Sequence, residues 1–167
     1  LGNIGNVYYN QDQYDKAMEH YQKALTISQK LKKEGEVATN LGNIGNVYYN
    51  QDQYDEAMEH YQRALVISKK LGKELLITDN LESIADISIK WGQYEKGLEH
   101  YQKALTISQK LKNEVKVAEI LGYIGGTYNN LDQYDKAMDY LQRSIILHRK
   151  LGDDINAASD IGNIGYT

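Results

Sequence analysis

The chain has 167 residues, a formal net charge of −4 at pH 7, and neither cysteine nor proline. Without cysteine it has no disulfides and no thiolate metal sites, and no apolar run approaches the roughly 20 residues that a membrane helix needs. A mildly acidic chain is expected to have low affinity for nucleic acid and for anionic membranes, so neither is predicted as a partner.

The first element is a repeat. Residues 1–15, LGNIGNVYYNQDQYD, recur unchanged at residues 41–55, which gives a period of 40 residues. A fixed period of this size is typical of solenoids, whose units bury their apolar faces by stacking. Since the chain starts in mid-repeat without Met, we expect an excerpt of a longer protein. The prediction is one array over 1–167, with units at about 1–33, 34–73, 74–113 and 114–153 and a truncated fifth at 154–167.

The second unit predicts a pair of helices. Leu41, Ile44 and Tyr48 lie on one apolar stripe of a helix at about 34–50, and a second stripe predicts a helix at about 54–71. Between them stands Asp52, where the third unit has Gly92, and both residue types tolerate a left-handed backbone. The predicted fold class is therefore an all-α solenoid of antiparallel helix pairs.

Small residues recur at one position of the first helix. Gly45 has Gly5, Ala85 and Gly125 at the same place in other units. A glycine inside a helix costs up to about 1 kcal/mol relative to alanine, so we expect close helix packing to offset that cost.

The side of the first helices opposite the apolar stripe is polar and rich in asparagine. Asparagine carries both a donor and an acceptor, which suits a grip on an extended peptide backbone. The alternative is that these asparagines are merely solvated and were repeated by duplication. The candidate peptide-binding residues on this side are Asn3, Asn6, Asn10, Asn43, Asn46, Asn50 and Asn130, together with Asp79, Glu82, Asp86 and Lys90 in the third unit.

The third unit replaces asparagine with acidic residues. Asp79, Glu82 and Asp86 are spaced to share one helical face, and Glu119 lies in the corresponding region of the next unit. We expect this face to favour a partner with Lys or Arg residues. The alternative is that Lys90, one turn after Asp86, neutralises part of the charge.

No residue pattern points to catalysis, to a cofactor or to a metal ion. His20, His60 and His100 recur once per unit, so stacking should separate them by about 20 Å, too far for a shared metal. No Gly-Lys-Ser/Thr loop for phosphate is present. We therefore expect a protein that is not an enzyme and that carries no cofactor.

The apolar and small residues of the helix pair predicted at about 34–71 resemble the signature of the tetratricopeptide repeat (TPR), a helix-turn-helix unit. The resemblance is looser in the third unit, which has Ser88 at an aromatic position, and in the fourth, which has Leu141 and Ser144 for the aromatic and alanine. The unit of 40 residues is longer than the roughly 34 residues usual in this family. It is similar to the 40-residue subclass of Pins-type scaffolds, with kinesin light chains as relatives. The matching residues are Leu41, Ile44, Gly45, Tyr48, Tyr54, Ala57, Tyr61 and Ala64.

The resemblance implies a right-handed superhelix whose first helices line a concave groove for extended peptides or partner helices. In those relatives groove asparagines hold the ligand main chain, and Asn6 and Asn46 match them best. The function expected is a protein-interaction scaffold, with a cytoplasmic location. The alternatives are an array that stacks end to end through Leu1, Ile4, Ile161 and Ile164, or the ligand-sensing region of a multidomain regulator.

Overall fold

A computed structural model of the protein describes residues 1–165, and the predicted fifth unit's last residues, Tyr166 and Thr167, lie outside them. The described part contains nine helices and no strand, so the all-α fold of successive helix pairs is confirmed. The helices are α1 (Gly2–Tyr9), α2 (Tyr14–Lys30), α3 (Glu34–Asn50), α4 (Tyr54–Lys70), α5 (Glu74–Lys90), α6 (Tyr94–Lys110), α7 (Glu114–Asn130), α8 (Tyr134–Lys150) and α9 (Asp154–Gly165).

The turn inside each helix pair has the left-handed residue that the sequence predicts. Asp52 has a φ of 58°, and its N–H donates to the carbonyl of Tyr49 at 3.1 Å. The N–H of Gln53 donates to the carbonyl of Tyr48 at 2.9 Å, which completes a Schellman motif and satisfies the end of α3. The residues with the same backbone in the other pairs are Asp12, Gly92 and Asp132.

The connection between successive pairs uses a second left-handed position that the sequence interpretation missed. Gly72 and Gly152 occupy it with φ of 63° and 74°, whereas Lys32 and Lys112 occupy it with φ of 54° and 55°. Lysine gives no signal for this backbone, since a side chain with Cβ disfavours it. The two glycines were the available clue.

The chain divides into two compact units, Leu1–Asn80 and the residues from Leu81 onward, with the division inside α5. In the first unit α1 packs on α2, α2 on α3 and α3 on α4. Its core contains Ala17, Tyr21, Ile44 and Val47, with Tyr21 reaching between the helices as a large, nearly buried ring.

In the second unit α6 packs on α7, α7 on α8 and α8 on α9. Leu105, Leu121, Ile124 and Leu141 are at most 2% exposed. Each middle helix contacts the helix before it and the helix after it, so it buries a wider face than one stripe. The sequence interpretation therefore left out buried positions such as Ile120, which is 0% exposed.

Close packing explains the recurrent small residues. A Cβ placed on Gly45 would lie 2.7 Å from Cε1 of Tyr61, and one placed on Gly125 would lie 2.6 Å from Cγ of Leu141. Both distances are shorter than any ordinary carbon contact. Glycine at these positions thus lets an aromatic or aliphatic side chain of the next helix lie directly on the backbone.

The helices α3, α5, α7 and α9 begin at residues 34, 74, 114 and 154, where the predicted repeat units begin. That the units form one array over 1–167 stays a prediction. None of the helices in the described part combines the length and the apolar character that a membrane crossing requires.

Candidate functional site on the polar face of the first helices

The two asparagines that best match a ligand-binding role are each held by a tyrosine of the following helix. The hydroxyl of Tyr21 on α2 donates to Oδ1 of Asn6 on α1 at 2.7 Å. The hydroxyl of Tyr61 on α4 donates to Oδ1 of Asn46 on α3, also at 2.7 Å. Asn6 is exposed and Asn46 half-buried, while both tyrosines are at most 3% exposed.

The protonation of the tyrosine decides which group of the asparagine is left for a ligand. Burial raises the pKa of Tyr21 to about 12, with a smaller contribution from Tyr9. The Tyr21 hydroxyl therefore keeps its proton near neutral pH and remains a donor. Since Oδ1 of Asn6 accepts this proton, the Nδ2 group is the part of the amide that remains for other partners.

Asn50 takes part in contacts inside the first unit. Its Nδ2 donates to the hydroxyl of Tyr9 at 2.6 Å and to the carbonyl of Asn46 at 2.9 Å. Burial raises the pKa of Tyr9, against the hydrogen bond from Asn50. Asn50 thus links the end of α3 to α1 at an exposed edge of the face.

The remaining asparagine candidates lie on or near the surface. Asn43 is half-buried, whereas Asn3, Asn10 and Asn130 are exposed. Neighbouring Asn129, which is not among the candidates above, donates from Nδ2 to the carbonyl of Asn163 at 2.9 Å. The candidates therefore differ in kind, because a tyrosine of the following helix donates to Asn6 and to Asn46, whereas Asn50 donates to Tyr9 of α1.

The third helix pair, α5 and α6, has the same arrangement with a carboxylate. The hydroxyl of Tyr101 on α6 donates to Oδ1 of Asp86 on α5. Burial raises the pKa of Asp86, and the hydrogen bond from Tyr101 and the charges of Lys90 and Lys116 oppose this rise. Asp86 is half-buried and Lys90 is exposed.

The acidic face expected in the third unit has a cation that the sequence interpretation missed. Glu82 is 8% exposed, and Nζ of Lys116 lies 3.1 Å from its Oε2 and 3.6 Å from Oε2 of Glu119. Lys116 stands 34 residues after Glu82, a separation outside the repeat period, so no repeat comparison pairs them. Glu82 is accordingly a paired, buried carboxylate, and Asp86 and exposed Asp79 are the more accessible acids of this helix.

An aromatic pair stands next to Asp86. The rings of Tyr101 and Tyr123 stack with centroids 5.6 Å apart, and Tyr123 is 47% exposed. Burial raises the pKa of Tyr123, and the charges of Glu119 and Asp86 raise it further. Tyr123 thus offers a ring face beside carboxylates, an arrangement that attracts cations.

The fourth helix pair has lost both members of the arrangement. Gly126 stands where the earlier units have Asn6, Asn46 and Asp86, and Leu141 replaces the tyrosine. Leu141 is 0% exposed and packs on Gly125. The joint replacement was visible in the sequence and was the available signal that these two positions work as a pair.

The histidines take part in packing within helix pairs. His20 stacks on Tyr8 with centroids 5.3 Å apart, and His60 lies 5.2 Å from Tyr48 in the same way. Among residues 1–165 no group of three or more His, Cys, Asp or Glu side chains could hold a metal ion.

Solved structures share this fold. Aspartyl phosphate phosphatase F from Bacillus subtilis aligns with a TM-score of 0.90 at 18% identity, covering 95% of this chain and 42% of that one. A Rap protein complexed with competence and sporulation factor aligns with a TM-score of 0.82 at 21% identity, covering 98% and 46%. TPR-like repeats described as those of a kinesin light chain from Podosopora anserina give 0.77 at 16% identity, covering 98% and 85%.

At these identities the likeness shows the fold alone, and the chain spans less than half of the first two proteins. The phosphatase activity in the first name belongs to that protein. A search of the curated protein sequences gives no significant match.

The family model of the tetratricopeptide repeat matches residues 1–70 and 76–150. Repeats of this kind form protein-interaction scaffolds that are generally non-enzymatic. Since the match covers most of the sequence and the described helices form successive pairs, the chain belongs to the tetratricopeptide repeat family.

Proposed function

We propose that the chain binds an extended peptide or partner segment on the polar face of its first helices. The observation that carries the proposal is the pair of hydrogen bonds that fix Asn6 and Asn46 through Tyr21 and Tyr61. A solvated asparagine needs no such support, whereas a binding residue gains from a fixed orientation, because less side-chain freedom is lost when the ligand arrives.

The chemistry of this face suits a peptide main chain. Each held amide presents its Nδ2 group, which donates to carbonyl oxygens whatever the ligand side chains are. Asp86 on α5 stands beside the exposed ring of Tyr123 on α7. We extend the proposal to a partner that carries a Lys or Arg residue facing these two side chains. The Rap structure named for its complex with competence and sporulation factor supports a binding role by analogy of fold.

Selection from a random peptide display library, followed by titration of the enriched peptides, tests this function. We expect enriched peptides with saturable binding and about two- to tenfold weaker binding by Asn46→Ala, the loss of one neutral hydrogen bond. Gln102→Ala, at an exposed position of α6, is the matched control and should bind as the parent chain does. Absence of any enrichment, or equal binding by both variants, would overturn the proposal.

A second candidate is an array that associates end to end. Leu1, Ile4 and Ile161 are 49%, 46% and 46% exposed, although their counterparts Leu41 and Ile44 are 1% and 2% exposed inside the first unit. Sedimentation velocity separates the two candidates. A monomer with a saturable peptide site supports the scaffold, and concentration-dependent oligomers without such a site support the array.

A ligand-sensing region of a larger regulator is a third form of the same proposal, in which peptide binding is coupled to another domain. A cytoplasmic location is the expectation that accompanies all three. Fusion of the chain to a fluorescent protein and microscopy in the source cells would test that location.

A further inference from the structure

We propose that the tyrosines of the second helices are positioning residues that set the hydrogen-bonding polarity of each unit toward its ligand. Tyr21 and Tyr61 fix amide donors, and Tyr101 fixes a carboxylate acceptor. The inference rests on the proposed function and adds the ligand chemistry to it.

The repeat itself assigns the direction of the hydrogen bonds. Asp86 stands at the position of Asn46, and Tyr101 at the position of Tyr61, each 40 residues later. An ionised carboxylate only accepts, so the Tyr101 hydroxyl must donate to it. The equivalent bond from Tyr61 then places Oδ1 of Asn46 toward the tyrosine and Nδ2 away from it, the orientation seen in the structure.

The first two helix pairs consequently present hydrogen-bond donors. Nδ2 of Asn6 and Nδ2 of Asn46 fit ligand groups that accept, namely main-chain carbonyls or carboxylates. A free asparagine could turn by 180° and offer its oxygen instead, and the tyrosine bond removes that choice. The recognition is therefore tolerant of ligand side chains and strict about hydrogen-bond direction.

The third helix pair presents a hydrogen-bond acceptor, Asp86, in place of the donors. Oδ1 accepts the hydrogen bond from Tyr101, and the carboxylate's other oxygen is a further acceptor that shares the negative charge. Lys116 lies against Glu82 and Glu119, and the charges of Lys90 and Lys116 offset part of the negative charge at Asp86. The half-exposed ring of Tyr123, stacked on Tyr101, adds a face over which a guanidinium can lie. The group that fits is a ligand Arg or Lys side chain.

The fourth helix pair agrees with this assignment. Where the tyrosine is replaced by Leu141, the polar residue is replaced as well, by Gly126. No hydrogen-bonding group remains there to be positioned, as expected if each pair acts as one device.

Exchange of the two polar residues tests the polarity. Parallel selections from one random peptide library would use the parent chain, Asp86→Asn and Asn46→Asp. Each substitution keeps an acceptor for its tyrosine and changes only what faces the ligand. We expect peptides enriched by the parent to contain Arg or Lys, Asp86→Asn to reduce that enrichment severalfold, and Asn46→Asp to add a second basic position.

The outcomes separate the two proposals. No enrichment by the parent chain would overturn the proposed function and this inference with it. Enrichment with the same frequency of basic residues in the parent and in Asp86→Asn would overturn the inference alone, and so would unchanged peptides for Asn46→Asp.

The positioning role has its own test. Tyr101→Phe removes one hydroxyl and keeps the ring, and it is expected to weaken binding of a selected Arg-containing peptide severalfold, because Asp86 loses the hydrogen bond that orients it. The same variant should also show a smaller ratio between its affinities for the Arg-containing peptide and for the form with Gln in place of Arg than the parent chain does. A purely structural loss would lower both affinities by the same factor. Circular dichroism checks the fold, and an unchanged Arg-to-Gln ratio would overturn the role of Tyr101.

Discussion

The hydroxyl of Tyr61 donates a hydrogen bond to Oδ1 of Asn46 at 2.7 Å, and through it the helix packing reaches the polar face. The ring of the same tyrosine lies on Gly45, where a Cβ would be 2.7 Å from Cε1. One side chain therefore fills the space between α3 and α4 and orients the amide of half-buried Asn46. Packing and recognition depend on the same residue.

Tyr61→Phe is expected to destabilise the fold by about 1 kcal/mol, because Oδ1 of half-buried Asn46 loses its donor while the ring remains. Tyr54→Phe is the matched control, since its hydroxyl bonds Asp52 at an exposed turn at 2.6 Å and should contribute less. Urea unfolding followed by circular dichroism measures both. Equal losses in the two variants would contradict the distinction between a buried and an exposed hydroxyl.

Gly45→Ala and Gly126→Ala are expected to change stability in opposite directions. The new Cβ at Gly45 would meet Tyr61 and force a shift that costs about 1–3 kcal/mol, and Gly45→Leu would cost more. At Gly126 nothing lies within 4 Å, so alanine gains up to about 1 kcal/mol of helix propensity. Thermal unfolding of the two variants decides the matter, and a shift of the same sign in both would refute the packing explanation.

Much of the fold follows from the sequence because equivalent positions can be compared between repeat units. The period fixes the turn at Asp52, and Gly92 at the equivalent place shows which backbone that turn needs. Lys32 shows the limit of this reasoning. Its φ of 54° is imposed by the connection between helix pairs, and lysine itself has no preference that would reveal it.

The site is less predictable than the fold, since it depends on distances between helices. The match to the repeat signature predicts Tyr61 as a packing residue, which it is, but whether its hydroxyl reaches Asn46 is set by the tertiary approach of α3 and α4. The pairing of Lys116 with Glu82 is likewise a contact between helices that shares no period with the repeat. Asn6 and Asn46 could be selected from the sequence, whereas the sequence signals the tyrosines that hold them just through the joint replacement in the fourth helix pair.

Gly72→Ala is expected to destabilise the chain by about 1–2 kcal/mol, the cost of a left-handed backbone for a residue with Cβ. Gly72 has a φ of 63° and nothing within 4 Å, so crowding contributes nothing to that cost. Gly35→Ala is the control, because Gly35 lies in α3 and is equally uncrowded. Differential scanning calorimetry should show a lower Tm for the first variant and an equal or higher Tm for the second.

Asp86→Asn is expected to stabilise the fold at neutral pH and to lose that advantage in acid. Burial raises the pKa of Asp86, so the folded state favours the protonated acid, and ionisation reduces stability as the pH rises through the unfolded and then the folded pKa. Asparagine never ionises and keeps the bond from Tyr101. Urea unfolding at several pH values measures the difference, which should be largest above the folded pKa and smallest below about pH 3.9.

Asp153→Asn supplies the opposite sign as a control for that measurement. Hydrogen bonds from Asn156 and the neighbouring His148 lower the pKa of Asp153, so its carboxylate is favoured in the folded state. The stability it contributes is present above the unfolded pKa and is lost as the pH falls through the folded pKa. Asp153→Asn should therefore destabilise the chain at neutral pH and converge with the parent in acid. If Asp86→Asn followed the same course, the buried carboxylate would be a net stabilising group, and the penalty assigned to its burial would be wrong.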